Sequence, residues 1–179
     1  MFTNEWQLLV MRFHQLGEIT IAHPDAKSGW NQPGGEFLDL LRLRAKLTVE
    51  ETFETLRGLS AGMPDEVWKA ISDMIVESIG RGAYSPSETA DGLADMEVIN
   101  HGTAVALGID LAPIFDEVMV TNFAKFEGGV RRRADGKILK PEGWKPPRIP
   151  ALLKEQGFTF CDCDPPSDAI PCPDCGVGC

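Results

Sequence analysis

The segment from Glu36 to Arg57 contains no glycine and no proline, and no other feature limits the fold of this chain so strongly. Glycine and proline interrupt helices more effectively than any other residues, so their absence predicts one long α-helix. Capping residues and terminating glycines mark four further helices, over approximately residues 3–16, 64–80, 87–107 and 110–126. The predicted N-cap residues include Thr3, Ser87 and Asp110. Convincing strand patterns are few, so the sequence predicts an all-α fold, a helical bundle of four to five helices.

After the last of these helices the sequence becomes rich in arginine, glycine and proline. Three consecutive arginines, Arg131–Arg133, precede the turn signal Asp135-Gly136, and a proline-rich stretch follows from Lys140 to Pro150. We expect an irregular C-terminal arm here, with room for a short hairpin. The predicted organisation is one all-α domain over residues 1–150 and a cysteine-rich tail over residues 151–179.

The charge balance limits the partners of the protein. The chain has 17 basic and 27 acidic residues, which gives a formal net charge of −10. Such an acidic chain is a poor match for nucleic-acid phosphates or anionic lipid, whereas it can gather cations. No basic segment followed by an apolar run opens the sequence, and no stretch approaches the ~18 apolar residues of a membrane span. We therefore expect a cytoplasmic protein that binds neither nucleic-acid polymers nor membranes.

Part of this negative charge is organised on the long helix. At about 100° per residue, Glu51 and Glu54 lie about 60° apart, on one face of the helix. The same face carries Leu40, Leu43 and Leu47 further upstream. The acids thus continue an apolar stripe, and a second apolar arc on the other side predicts that the helix is widely buried.

The helix over residues 87–107 repeats the arrangement. Glu88, Asp91 and Asp95 fall within roughly 60° of one another, and their stripe continues into Val98 and Ile99. Carboxylates that face a core need positive compensation, and oxygen-liganded Mg²⁺ or Mn²⁺ supplies it. Glu97 and His101 project away from the stripe, and we expect His101 to be a packed or interface residue.

Two other interpretations of the acids remain open at this stage. An isolated pair of acids on a helix is usually a solvated face or a ladder of ion pairs. Alternatively, Arg42, Arg44 and Arg57 could pair with these acids in a purely structural role.

Six motifs appear in a fixed order along residues 36–148. They are Arg44-Ala-Lys46-Leu47, Glu51-x-x-Glu54, Glu88-x-x-Asp91-Gly-Leu-Ala-Asp95, Gly102-Thr-Ala-Val-Ala-Leu-Gly-Ile-Asp110, Thr121-Asn122-Phe-Ala-Lys125 and Asp135-Gly136-Lys137 with Lys140-Pro-Glu-Gly-Trp144. The series resembles the all-α nucleoside triphosphate pyrophosphohydrolases, which include MazG-like proteins and phosphoribosyl-ATP pyrophosphohydrolases. The resemblance implies a MazG-like helical fold, assembled as a homodimer or homotetramer, and cleavage of a nucleoside triphosphate into its monophosphate and pyrophosphate.

The resemblance also implies roles for individual residues. The expected Mg²⁺ ligands are Glu51, Glu54, Glu88 and Asp91. Glu50 or Asp95 would accept the proton of the attacking water or fix its direction. The residues expected to hold phosphate oxygens are Lys46, Asn122, Lys125, Lys137 and Lys140. The lysines of the arm and Arg131–Arg133 would form a phosphate-facing lid, or else belong to a flexible charged loop.

The five cysteines all fall at the C-terminal end, outside the family pattern. Their spacing, Cys161-x-Cys163-x8-Cys172-x2-Cys175-x3-Cys179, is typical of a zinc knuckle, and the expected ligands are Cys161, Cys163, Cys172 and Cys175. A tail with free thiols and a tail with disulfides are the alternatives.

Three functions follow from these observations. The leading one is a Mg²⁺-dependent pyrophosphohydrolase of ribo- or deoxyribonucleoside triphosphates that maintains the nucleotide pool. A second keeps the reaction and takes phosphoribosyl-ATP as the substrate. The third is a non-enzymatic dimeric scaffold whose zinc tail binds a partner protein.

Overall fold

The computed structural model describes residues 3–21, 35–133 and 138–159. In these ranges 67% of the residues are helical, and an isolated antiparallel bridge between Arg132 and Ile138 takes the place of regular strands. The helices are α1 (Glu5–Leu16), α2 (Glu36–Gly58), α3 (Asp65–Ser78), α4 (Pro86–Leu107), α5 (Leu111–Phe123) and α6 (Ile149–Glu155). The prediction of an all-α fold is confirmed, and all five predicted helices are present.

The chain forms two compact units. The inserted unit comprises Ala22–Leu93 and contains α2, α3 and the start of α4. The terminal unit comprises Met1–Ile21 and Ala94–Cys179 and contains α1, the rest of α4, α5 and α6. No helix in the described part of the chain is long and apolar enough to cross a bilayer.

Aromatic packing between α2 and α3 holds the inserted unit together. The ring of Phe53 lies 4.4 Å from that of Trp68, which is 3% exposed and is the buried residue of α3. Arg57 lies 5.7 Å from the Trp68 ring and forms a 2.6 Å ion pair with Asp65 at the start of α3. The two helices are therefore fixed by one apolar contact and one charged contact close to the turn that joins them.

The wide burial expected for α2 is not found. None of its residues is buried, and Leu43 remains 48% exposed. The physical reason is that α3 is the main packing partner of α2 among the described residues, and one helix covers only one side of another.

Stacked aromatic rings organise the terminal unit. The Trp6 ring of α1 stacks against Phe115 of α5 at 4.6 Å and against His101 of α4 at 5.3 Å. Further along α1, Phe13 contacts Phe126 at 5.0 Å. His101 thus stacks against Trp6 on one side, while 47% of its side chain remains exposed, so it is only partly the packed residue that the sequence predicted.

The C-terminal arm contains a helix that the sequence did not predict. Helix α6 includes Pro150 in its first turn, where the missing N–H of proline costs nothing. The side chain of Gln156 then forms two hydrogen bonds to the backbone of Asp110, at 2.8 and 3.0 Å. The domain boundary predicted at residue 150 thus falls inside α6, which is fixed to the body of its unit.

Candidate functional site

Lys46 and Glu50 form an ion pair on the exposed side of α2. The Lys46 Nζ lies 3.8 Å from Glu50 Oε1, one helical turn further on. The two side chains are 55% and 42% exposed, so water screens their attraction. The pair contributes little to stability, and Lys46 can exchange Glu50 for another anion at small cost.

The remaining predicted acids are exposed on two helices. Glu51 and Glu54 lie on α2, and Glu88, Asp91 and Asp95 lie on α4. The sequence predicted that these carboxylates face a core, whereas Ala104 is the buried residue that the structure gives for α4. The carboxylates are therefore exposed to solvent in the single chain.

The donor set fits Mg²⁺ chemically, because four carboxylates arranged as two i,i+3 pairs offer only oxygen ligands. The described residues nevertheless contain no group of three or more His, Cys, Asp or Glu close enough to hold a metal ion. The single chain thus does not bring Glu51, Glu54, Glu88 and Asp91 into one cluster. Their role as metal ligands stays a prediction.

Helix α4 begins in a way that gives Glu88 a structural role as well. The Ser85 Oγ accepts a hydrogen bond from the backbone N–H of Glu88 at 3.3 Å, so Ser85 caps the helix, and the prediction of Ser87 as the cap is corrected. Pro86 then occupies the first helical position, which suits a residue without an N–H. A carboxylate in this first turn interacts favourably with the helix dipole, whether or not a metal is bound.

Three of the residues predicted to hold phosphate come together around Trp144, and we call Asn122, Lys125, Lys140 and Trp144 the Trp144 cluster. The Lys140 Nζ lies 3.9 Å from the centre of the indole ring, and the Lys125 Nζ lies 5.8 Å from it. Lys125 also donates a 2.6 Å hydrogen bond to Asn122 Oδ1. Sequence reasoning gave Trp144 no role, although it stands four residues after one of the predicted lysines.

Backbone geometry places Trp144 at this position. Its indole Nε1 donates a 2.8 Å hydrogen bond to the carbonyl of Thr121, in the last turn of α5, where helices leave carbonyls unpaired. Its backbone N–H donates to the carbonyl of Pro141 at 3.2 Å and closes a turn. Gly143 occupies the third position of that turn with a φ of +77°, a backbone angle that residues other than glycine rarely adopt. The Lys-Pro-Glu-Gly-Trp motif is thus the sequence of a tight turn.

One arginine of the arm, Arg132, binds the end of α1. Arg132 donates through Nη2 to the backbone carbonyl of Gly17, at the C-terminal end of α1, where a positive charge is favourable. Arg132 therefore holds α1 and is not available for a lid over phosphate. Lys137 and the cysteines Cys161, Cys163, Cys172 and Cys175 lie outside the described residues.

The fold and the acid pairs define a class of all-α protein, and one solved structure shares that fold. It is described as a "putative NTP pyrophosphohydrolase" from Exiguobacterium sp. 255-15. The two chains are 27% identical with a TM-score of 0.56, and the match covers 86% of this chain and 95% of the other. No family model matches this sequence, and no curated protein is significantly similar to it. The resemblance to the all-α NTP pyrophosphohydrolases is confirmed at the level of the fold.

Proposed function

We propose that this protein is a nucleoside triphosphate pyrophosphohydrolase, which hydrolyses the bond between the α and β phosphates. One observation carries the proposal: Glu51/Glu54 and Glu88/Asp91 lie as i,i+3 acid pairs on α2 and α4 of a fold shared with the Exiguobacterium protein. Acid pairs at this spacing can bind a divalent ion, whereas the apolar residues of these two helices can be explained by packing. A protein that needed these helices only for structure would not require carboxylates at all four positions.

We further propose that Glu51, Glu54, Glu88 and Asp91 hold Mg²⁺, or Mn²⁺ in its place. A divalent ion bound there would offset the charge of the triphosphate and lower the pKa of the attacking water. Either Glu50 or Asp95 accepts the proton of that water at a carboxylate oxygen.

Lys46 connects substrate binding with the base in this proposal. In the free protein its ammonium group lies against Glu50. A triphosphate carries several negative charges where a carboxylate carries one, so it attracts Lys46 more strongly. Binding of the triphosphate would therefore release Glu50 from its ion pair and leave its carboxylate free to accept a proton.

The protein is proposed to act as a homodimer or homotetramer. Support comes from α4, on which Val98 and Ile99 are 68% and 66% exposed in the single chain. Apolar side chains grouped on one helix usually mark an interface.

The function is tested by incubating the full chain with Mg²⁺ and each of the common NTPs and dNTPs, and with phosphoribosyl-ATP. Formation of the nucleoside monophosphate and pyrophosphate in equal amounts is the expected result. Release of inorganic phosphate in place of pyrophosphate would contradict the proposed bond, and no release from any compound would overturn the proposal. Turnover of phosphoribosyl-ATP alone would assign the second function deduced from the sequence.

A zinc site in the tail is a separate proposal. Metal analysis of the purified full chain should find zinc that a Cys172→Ser/Cys175→Ser variant loses. A wild-type chain without zinc would exclude the knuckle.

A further inference from the structure

We propose that Trp144 is a positioning residue, which holds Lys125 and Lys140 together as one binding site for the polyphosphate chain of the substrate. The inference deepens the proposed function and rests on it for the identity of the substrate. The arrangement of the cluster stands independently of that function, because it rests on contacts within the terminal unit.

The first argument is that no local geometry brings these two lysines together. Lys125 lies in the short 3-10 helix that follows α5, and Lys140 lies in the arm beyond the Arg132–Ile138 bridge. Two ammonium groups repel each other, so a feature that attracts both must hold them. The π face of Trp144, 3.9 and 5.8 Å from the two nitrogens, is that feature.

The second argument is that the indole is fixed without the lysines. Its Nε1 hydrogen bond to Thr121 and its backbone hydrogen bond to Pro141 set both the position and the orientation of the ring. The ring is also half-buried, which limits its motion. Trp144 can therefore serve as a platform on which two flexible lysine side chains are restricted, and a restricted side chain loses less entropy when a ligand binds.

The third argument concerns the ligand. The Asn122 Oδ1 accepts from Lys125, so its Nδ2 group remains a donor, and the cluster offers two ammonium groups and one amide N–H₂. All three groups donate hydrogen bonds and the two ammonium groups carry positive charge, which suits a ligand with several anionic oxygens. A polyphosphate chain can meet both lysines at once. A nucleobase stacked on the face of the indole that Lys140 covers would have to displace this lysine.

The experiment measures the binding of inorganic tripolyphosphate to the full chain by calorimetry, without added metal. Trp144→Leu removes the π face and should weaken binding about tenfold, whereas Trp144→Phe keeps an aromatic face but loses the Nε1 hydrogen bond and should show an intermediate loss. Trp6→Phe is the matched control, because Trp6 is an aromatic residue of the same unit that stacks on Phe115 and is no member of the cluster. Its affinity should equal that of the wild type.

A double-mutant cycle separates positioning from general structural damage. Lys140→Met should weaken tripolyphosphate binding about tenfold in the wild type and clearly less in Trp144→Leu, because the lysine is already released in that background. Additive losses would overturn the proposal. Trp144→Leu that binds tripolyphosphate as tightly as wild type would also overturn it, because the indole would then not be needed to hold the two lysines.

Further outcomes distinguish this inference from the proposed function. Hydrolysis of nucleotides with unchanged tripolyphosphate affinity in Trp144→Leu would refute the inference alone. Loss of tripolyphosphate affinity in a protein that hydrolyses no nucleotide would refute the proposed function alone. If Trp144→Leu weakens the binding of a nucleoside as much as that of tripolyphosphate, the indole binds the base and the inference is wrong.

Discussion

Arg148 and Glu117 form a two-point ion pair: the Nε and Nη2 of the arginine each lie 3.1 Å from a carboxylate oxygen of the glutamate. The backbone N–H of Arg148 donates to the same carboxylate, also at 3.1 Å. Arg148 is the N-cap of α6, so a side chain of α5 satisfies an N–H that the start of a helix leaves unpaired. Only 16% of the Glu117 side chain is exposed, so this pair is screened less than a surface pair.

The first prediction is that this pair fixes α6 to α5. Glu117→Ala removes all three hydrogen bonds and Arg148→Ala removes two, so the backbone amides of Ile149–Glu155 should exchange with deuterium faster in both variants, and fastest in Glu117→Ala. Hydrogen–deuterium exchange followed by mass spectrometry measures this effect. Asp116→Asn removes a neighbouring exposed charge and should leave the exchange unchanged. Equal protection of α6 in all four proteins would contradict the prediction.

The same pair predicts a pH dependence. The side-chain hydrogen bond from Arg148 is the main cause that lowers the pKa of Glu117 below its ordinary value of 4.5. A carboxyl with a lowered pKa in the folded state contributes stability above its unfolded pKa and loses it as the pH falls through the folded pKa. Protection of α6 in the wild type should therefore decline below about pH 4.5. Glu117→Gln, which cannot titrate at this position, should show a smaller decline over the same range.

The second prediction concerns Gly80, which lies close to α2. Its φ is +94°, and a Cβ at this position would meet Leu38 Cδ1 at 2.6 Å. Gly80→Ala should therefore lower the free energy of unfolding by about 1–2 kcal/mol, mainly through backbone strain, because the end of the Leu38 side chain can move aside. Gly82→Ala is the matched control, since a Cβ there meets nothing within 4 Å, and it should change stability by less than about 1 kcal/mol. Urea unfolding compares the two variants, and equal losses would refute the argument.

The helices themselves could be predicted because their ends depend on local chemistry. The Asp110 side chain accepts from the N–H of Ala112 at 3.1 Å, as expected for an N-cap, and Gly17 ends α1. Two caps were misassigned. Helix α1 is capped by Asn4, whose side chain accepts from the N–H of Gln7 at 3.0 Å, and not by the neighbouring Thr3. The cap of α4 was misplaced by two residues, although the preference of Pro86 for the first helical position indicates Ser85 as the cap. Helix ends of this kind can be predicted without knowing any tertiary contact.

The candidate site could be predicted only in part, because a helical projection describes one helix at a time. It places Glu51 and Glu54 on one face of α2, but it does not say what that face meets. The Trp144 cluster combines the end of α5 with a turn in the arm, a contact between segments that no local pattern encodes. Only the resemblance to a family brought Asn122, Lys125 and Lys140 together before the structure did.

The third prediction is that α4 forms the interface between copies of this chain. Val98→Asp and Ile99→Asp should each shift the protein from a dimer or tetramer to a monomer of about 20 kDa. An aspartate buried in an apolar interface without a partner costs several kcal/mol, which is enough to dissociate most assemblies. Met74→Asp, on α3 at a residue that is 64% exposed, is the control and should leave the assembly intact. Size-exclusion chromatography with light scattering gives the masses, and a monomeric wild type would refute the prediction.

The fourth prediction is that the acids act through their charge. Glu54→Gln and Asp91→Asn keep nearly the same shape but remove the anionic oxygen that a divalent ion needs, so nucleotide hydrolysis at saturating Mg²⁺ should fall by about 100-fold or more. Their free energies of unfolding should stay within about 0.5 kcal/mol of wild type, because the two carboxylates are exposed. Glu97→Gln is the matched control on α4, since Glu97 lies 3.7 Å from His101 and off the acid stripe. Its activity should remain close to wild type. Equal losses in all three variants would show that hydrolysis depends on the net charge of the chain, because Glu97 would then matter as much as the proposed ligands.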